Sequence, residues 1–61
     1  MLNYVKIVLT KVSFSALLFE KELRKAINLM IGEELNELRN WCYTKFGSEH
    51  EDILNRCFVV V

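Results

Sequence analysis

The sequence lacks proline altogether, and its 61 residues include only two glycines, Gly32 and Gly47. It also lacks repeats, low-complexity segments and any Ser- or Gly-rich linker. Two cysteines, Cys42 and Cys57, are too few for a dense disulfide framework. We therefore expect residues 1–61 to form a single domain that folds without covalent cross-links.

An excess of charge of either sign is also missing, because eight basic residues balance eight acidic ones. A net charge of zero gives no field to attract nucleic acid or an anionic membrane, so nucleic acid is an unlikely partner. No uncharged apolar run approaches the roughly 20 residues that span a bilayer. Lys6 and Lys11 interrupt the apolar residues of the first segment, unlike a signal peptide, and we expect a cytoplasmic protein with no membrane span.

Apolar residues are what the chain has in abundance, at 52% of the sequence. A domain this small buries a limited fraction of its surface, and its stability is expected to be only about 3–9 kcal/mol. Apolar side chains that one chain cannot cover are commonly covered by another copy. The composition therefore predicts a homo-oligomer, most simply a dimer.

Helical periodicity dominates the middle of the chain, where two amphipathic patterns flank Gly32. Their apolar residues recur every three or four positions, with charged residues on the opposite side. The patterns predict an all-α fold, a small bundle of three to four helices around a central, antiparallel helical hairpin. The helices are expected at residues 2–12, 16–31, 33–46 and 49–58.

The first segment, LNYVKIVLTKV, also suits a strand, because it is rich in β-branched residues and partly alternates. Read as a helix, it places Val5, Val8, Leu9 and Val12 on one stripe, and we favour that interpretation. The alternative is a β-α-α-β layout in which this strand pairs with the tail Val59–Val61.

Capping residues support the proposed boundaries. Ser13 or Ser15 is suited to cap the second helix, and Gly32 to end it in a left-handed conformation. Ser48 with Glu51 three residues later forms a capping-box pattern before the fourth helix. The predicted core consists of Val5, Val8, Leu9, Phe19, Leu23, Ile27, Met30, Leu35, Leu38, Cys42, Phe46, Leu54 and Phe58.

Candidate chemistry is sparse. Cys42, His50 and Cys57, with Glu49 or Glu51, are the possible zinc or iron ligands, yet their spacing is unlike any close-paired metal motif. A catalytic Cys–His pair would lack an orienting Asn or Asp and room for a substrate. Both cysteines lie on apolar helical faces and are expected to pack in the core. We therefore expect no metal, no cofactor and no enzymatic activity.

Two charged clusters have simpler roles than binding. Glu33, Glu34 and Glu37 lie at the start of the third helix, where they complement the helix dipole. Lys21, Arg24 and Lys25 form a basic turn on the second helix that would suit phosphate, but acidic neighbours interleave with them. We expect both clusters to be solvated faces.

Partner contact is the function that the sequence favours, with Leu29, Trp41, Tyr43 and Val60 as candidate contact residues. Large aromatics tend to anchor interfaces, although Trp41 would equally serve to cap a small core. Ile7, Leu17, Leu29 and Val59–Val61 exceed what one apolar stripe per helix needs. We therefore predict a non-enzymatic protein-interaction or self-associating helical module. The alternative is a small nucleic-acid-associated regulator that acts as a dimer.

The segments KVSF, LFEKELRKAI and NWCYTKFG resemble parts of short bacterial open reading frames that encode stand-alone helical proteins. The resemblance covers roughly residues 1 to 58. It implies a bacterial, cytoplasmic, helical protein. Such frames have no assigned activity, so the resemblance assigns no site residue to this chain.

Overall fold

The computed structural model describes residues 1–58, which form four α-helices and no strand. The helices are α1 (Leu2–Val12), α2 (Ala16–Leu29), α3 (Glu33–Phe46) and α4 (Glu51–Phe58). The predicted small all-α bundle is confirmed, and the first segment is helical, so the strand interpretation of residues 2–12 is wrong. The Val59–Val61 tail lies outside the described residues.

The α1–α2 turn follows the predicted capping chemistry. Ser15 is the N-cap of α2, and its Oγ accepts a hydrogen bond from the Leu18 amide at 3.3 Å. This bond satisfies one of the amides that a helix start leaves unpaired. Ser13 instead turns back, and its hydroxyl donates to the Thr10 carbonyl.

Two helix boundaries differ from the prediction. α2 ends at Leu29, because Met30 is extended, and Gly32 precedes α3 with φ 65° and ψ −134° instead of closing α2. α4 begins at Glu51, with the His50 carbonyl accepting the first helical bond from the Leu54 amide. Ser48 is therefore not the N-cap, since the Phe46 carbonyl accepts from the amides of both Glu49 and His50 and extends the α3 turn past it.

Around the bundle the helices follow the order α1, α2, α4, α3. α2 packs chiefly on α1 and α4, while α3 packs on α4 and α1. The two helices of the expected hairpin therefore lie diagonally rather than side by side. Their side chains still meet across the core, where the Phe19 and Phe46 rings stand edge to face at 5.0 Å.

The core forms at the centre of this ring of helices. Nine of the predicted core residues are buried, whereas Val8, Ile27, Leu35 and Phe58 are only half-buried. Val8 is displaced outward because it borders a groove between α1 and α2, and Leu35 lies in the exposed first turn of α3. The full buried set is Val5, Leu9, Phe19, Leu23, Ala26, Met30, Leu38, Cys42, Phe46, Ile53, Leu54 and Cys57.

Candidate interaction surface

The most prominent surface feature is a set of large apolar side chains that the bundle leaves in solvent. Phe14 is 81% exposed, Leu17 78% and Leu29 64%. Single apolar side chains in solvent are normal, whereas contiguous apolar patches beyond a few hundred Å² are rare in monomers and mark binding surfaces. The other large exposed side chains are Met1, Tyr4, Ile7, Leu18 and Ile31.

An apolar groove lies between the start of α1 and the end of α2. Its walls are Met1, Tyr4, Val8 and Leu29, and its floor is formed by Val5, Leu9 and Ala26. Glu22 and Lys25 stand at the rim, with 3.8 Å between the Lys25 Nζ and a Glu22 carboxylate oxygen. The small Ala26 side chain beneath α1 leaves a depression there rather than a ridge.

Of the three predicted contact residues that the structure describes, only Leu29 lines this groove. Trp41 is half-buried, packs edge to face on Phe46 at 5.5 Å, and has the Lys6 ammonium 5.7 Å from its ring centre. The Tyr43 hydroxyl donates to the Asn55 Oδ1 at 2.6 Å and links α3 to α4. Val60 lies outside the described residues. The structure therefore separates Leu29 from the two aromatics, which pack within their own chain.

The candidate metal ligands Cys42, His50 and Cys57 make other contacts in the fold. Cys42 and Cys57 are buried and unbonded, and burial raises the pKa of both thiols, that of Cys42 to about 12. His50 instead stacks on Phe19 at 4.5 Å, and its Nε2 donates to the Ser13 carbonyl at 2.8 Å. Within residues 1–58 no group of three His, Cys, Asp or Glu side chains is arranged to hold a metal ion.

The basic turn of α2 is largely neutralised by its neighbours. Arg24 donates twice to one Glu20 oxygen, at 2.9 and 3.1 Å, and Arg56 of α4 donates to the other at 3.1 Å. The hydrogen bond to Glu20 is the main reason that the pKa of Arg24 is raised. Lys25 faces Glu22, so two of the three cations proposed for phosphate contact already have acidic partners.

A polar cleft lies at the opposite side of α2, between its first turns and the start of α4. Glu49, Glu51 and Asp52 line it together with the exposed Leu17. Glu20 also borders the cleft, but its carboxylate is occupied by Arg24 and Arg56. Among the described residues, these carboxylates belong to no group of three that could hold a metal ion.

The sequence pattern missed Tyr4 and Phe14 as surface residues. The predicted stripe of the first helix does not include Tyr4, and Phe14 lies between the two serines that break the pattern. Their spacing from Ile7, three and seven residues, was the feature of the sequence that places all three on one side of a helix. In the structure, Tyr4, Ile7 and Phe14 lie on the side of α1 that faces away from the core.

No protein-family model, curated protein or solved structure matches this chain. No helix of residues 1–58 has the length and apolar character needed to cross a bilayer. Functional inference therefore starts from the exposed apolar surface itself.

Proposed function

We propose that this chain is a non-enzymatic protein-interaction module that works by binding a second copy of itself. The observation that carries the proposal is the exposure of large apolar side chains around a core that is already filled. Phe14 is 81% exposed, Leu29 64% and Ile7 55%, while seven large core side chains are less than 2% exposed. Burying apolar surface contributes about 25 cal/mol per Å² of favourable free energy, so burying these exposed side chains between two copies favours association.

Self-association also suits the size of the domain. A chain of 61 residues has an expected stability of about 3–9 kcal/mol, and a partner that binds only the folded form adds to it by mass action. A two-fold dimer uses the same patch on both copies, so no second protein is needed to cover it.

The non-enzymatic part of the proposal is supported by the placement of the reactive groups. The two thiols lie in the core, and the His50 ring is stacked and hydrogen-bonded between two turns. A nucleophile needs a base within hydrogen-bond reach and an accessible reacting atom. In this chain the two thiols and the His50 ring instead pack against neighbouring side chains.

Light scattering over a dilution series from low to high micromolar concentration tests the proposal. We expect a mass above one chain that falls toward the monomer on dilution. A folded protein that stays monomeric at high micromolar concentration would contradict self-association.

A heparin column at low salt distinguishes the rival function. We expect the protein to pass through, because Arg24 and Lys25 are paired with carboxylates. Retention that weakens steeply with salt would instead favour a nucleic-acid-associated regulator.

A further inference from the structure

The outer side of α1 carries a row of exposed residues whose spacing is nearly the same when read in either direction along the helix. Met1, Tyr4, Ile7, Lys11 and Phe14 follow one another at spacings of three or four residues, and all are exposed. These spacings place side chains on the same side of a helix, with Phe14 in the turn that directly follows α1. We call this set the α1 stripe.

Ile7 is the centre of the α1 stripe. Tyr4 lies three residues before it and Lys11 four residues after it, while Met1 and Phe14 lie six before and seven after. At a rise of about 1.5 Å per residue, Phe14 is roughly 10 Å from Ile7 and Met1 roughly 9 Å in the other direction. A two-fold axis through Ile7 therefore brings Tyr4 opposite Lys11 of a second copy, and Met1 opposite its Phe14.

The two ends of the stripe also have complementary shapes. The first end opens into the groove walled by Met1, Tyr4, Val8 and Leu29. The other end carries Phe14, which is 81% exposed and does not line that groove. Because the projection and the groove lie on one chain at nearly equal distances from Ile7, the partner that fits both is another copy of this chain.

The charges of the stripe agree with the same pairing. Lys11 is its one charged side chain, and the Tyr4 ring is the kind of aromatic face over which an ammonium binds. The Glu22 carboxylate on the groove rim is 3.8 Å from the Lys25 ammonium, so the rim carries no net charge beside that ring. A reversed second copy therefore places its Lys11 against an aromatic ring rather than against Lys11 of the first copy.

We infer that two copies pack with their α1 helices antiparallel about a two-fold axis at Ile7, each inserting Phe14 into the groove of the other. This inference rests on the proposed self-association and names its surface. Each interface then contains two symmetric Phe14 contacts, two Tyr4–Lys11 contacts and one Ile7–Ile7 contact on the axis.

Charged substitutions at Ile7 give a direct test, because a residue on a two-fold axis contacts the same residue of the second copy. Ile7→Lys and Ile7→Glu should each be monomeric at a concentration where the wild type is dimeric, since like charges meet on the axis. An equimolar mixture of the two should recover dimers, since Lys then meets Glu. Leu17→Glu is the control, as Leu17 is 78% exposed, against 55% for Ile7, but lies off the stripe, and it should leave the dimer intact. Circular dichroism establishes that each variant is helical.

Phe14→Ala supplies an independent measurement. Removing an anchor that is used twice per dimer should raise the dimer Kd about 100-fold, and Leu17→Ala should change it less than about threefold.

The outcomes of these experiments distinguish self-association from the particular interface inferred here. A wild type that is monomeric overturns self-association itself. A wild-type dimer that persists in either Ile7 variant, or Ile7 variants that stay monomeric when mixed, overturns the two-fold axis at Ile7 while self-association stands.

Discussion

Cys42 shows how a single buried group ties the stability of the fold to pH. Its side chain is completely buried on α3, and burial, aided by the nearby Cys57, raises the pKa of its thiol from an ordinary 9.0 to about 12. The unfolded chain therefore releases this proton at lower pH than the folded chain does. The stabilising contribution is fully present below pH 9.0 and is lost as the pH rises toward about 12.

We expect the free energy of unfolding to fall by about 1.4 kcal/mol per pH unit from this thiol above pH 9. Urea unfolding at a series of alkaline pH values measures the slope. Cys42→Ala is the comparison, because the other alkaline groups are unchanged in it and only the slope, not the absolute stability, is compared. Equal slopes in the two proteins would show that the thiol titrates alike in both states.

Leu23 and Leu17 offer a matched pair of leucines on α2. Leu23 is fully buried and Leu17 is 78% exposed. Leu23→Ala should cost about 2–5 kcal/mol, enough to unfold much of a domain this small, whereas Leu17→Ala should stay within about 0.5 kcal/mol. Thermal unfolding followed by circular dichroism compares them, and similar losses in both would contradict the assignment of the core.

At the scale of elements, the α2–α3 connection depends on the backbone of Gly32. Its φ of 65° and ψ of −134° mirror an ordinary extended conformation, which L residues with a side chain rarely adopt. A Cβ at this position would meet no atom within 4 Å, so the cost of a substitution is conformational rather than steric.

Gly32→Ala should therefore destabilise the protein by about 1–3 kcal/mol. Chemical synthesis with D-alanine at the same position is the control, because a D residue prefers the mirror-image conformation. Denaturant unfolding should place the D-alanine protein at or above the wild type. Equal destabilisation by both enantiomers would show that the side chain, and not the backbone, is responsible.

The four helices were predictable from the sequence, but the end of α2 and the start of α4 were not. The periodicity of α1 to α3 comes from local spacing, so it is visible without the fold. The start of α4 is set differently, because the His50 ring is held by the Ser13 carbonyl, 37 residues away. No local capping pattern records such a contact, and Ser48 with Glu51 therefore suggested the wrong residue.

At the scale of the whole molecule, the order of the helices was also beyond sequence reasoning. An amphipathic stripe says which side of a helix is buried, but not which helix covers it. The short link at Gly32 favoured side-by-side packing of α2 and α3, yet α4 lies between them. Leu29 was identified as exposed because it lies off the apolar stripe, whereas the groove beside it exists only once α1 is placed.

The exposed apolar residues are not a sign of loose packing. The Cα radius of gyration of the described chain is 10.2 Å, close to the roughly 10.3 Å of a compact domain of this length. Association that covers these residues therefore stabilises the folded chain by mass action.

The melting temperature should therefore rise with protein concentration. Leu29→Glu places a charge on the groove wall, and it should lower the melting temperature and remove its dependence on concentration. Ile31→Glu is the comparison, since Ile31 is 82% exposed but does not line the groove. Calorimetry at several concentrations measures both, and a wild-type melting temperature that is independent of concentration would contradict the coupling.

The position of α4 between α2 and α3 has a consequence for the chain as it is made. Helices α1 to α3 are synthesised before the helix that separates two of them. At roughly 5–20 residues per second, the 12 residues from Gly47 to Phe58 take about 0.6 to 2.4 seconds to add. The core around Leu23 and Leu38 has no α4 side chains to complete it until then, so the native packing of α2 and α3 is reached only after α4 has been made.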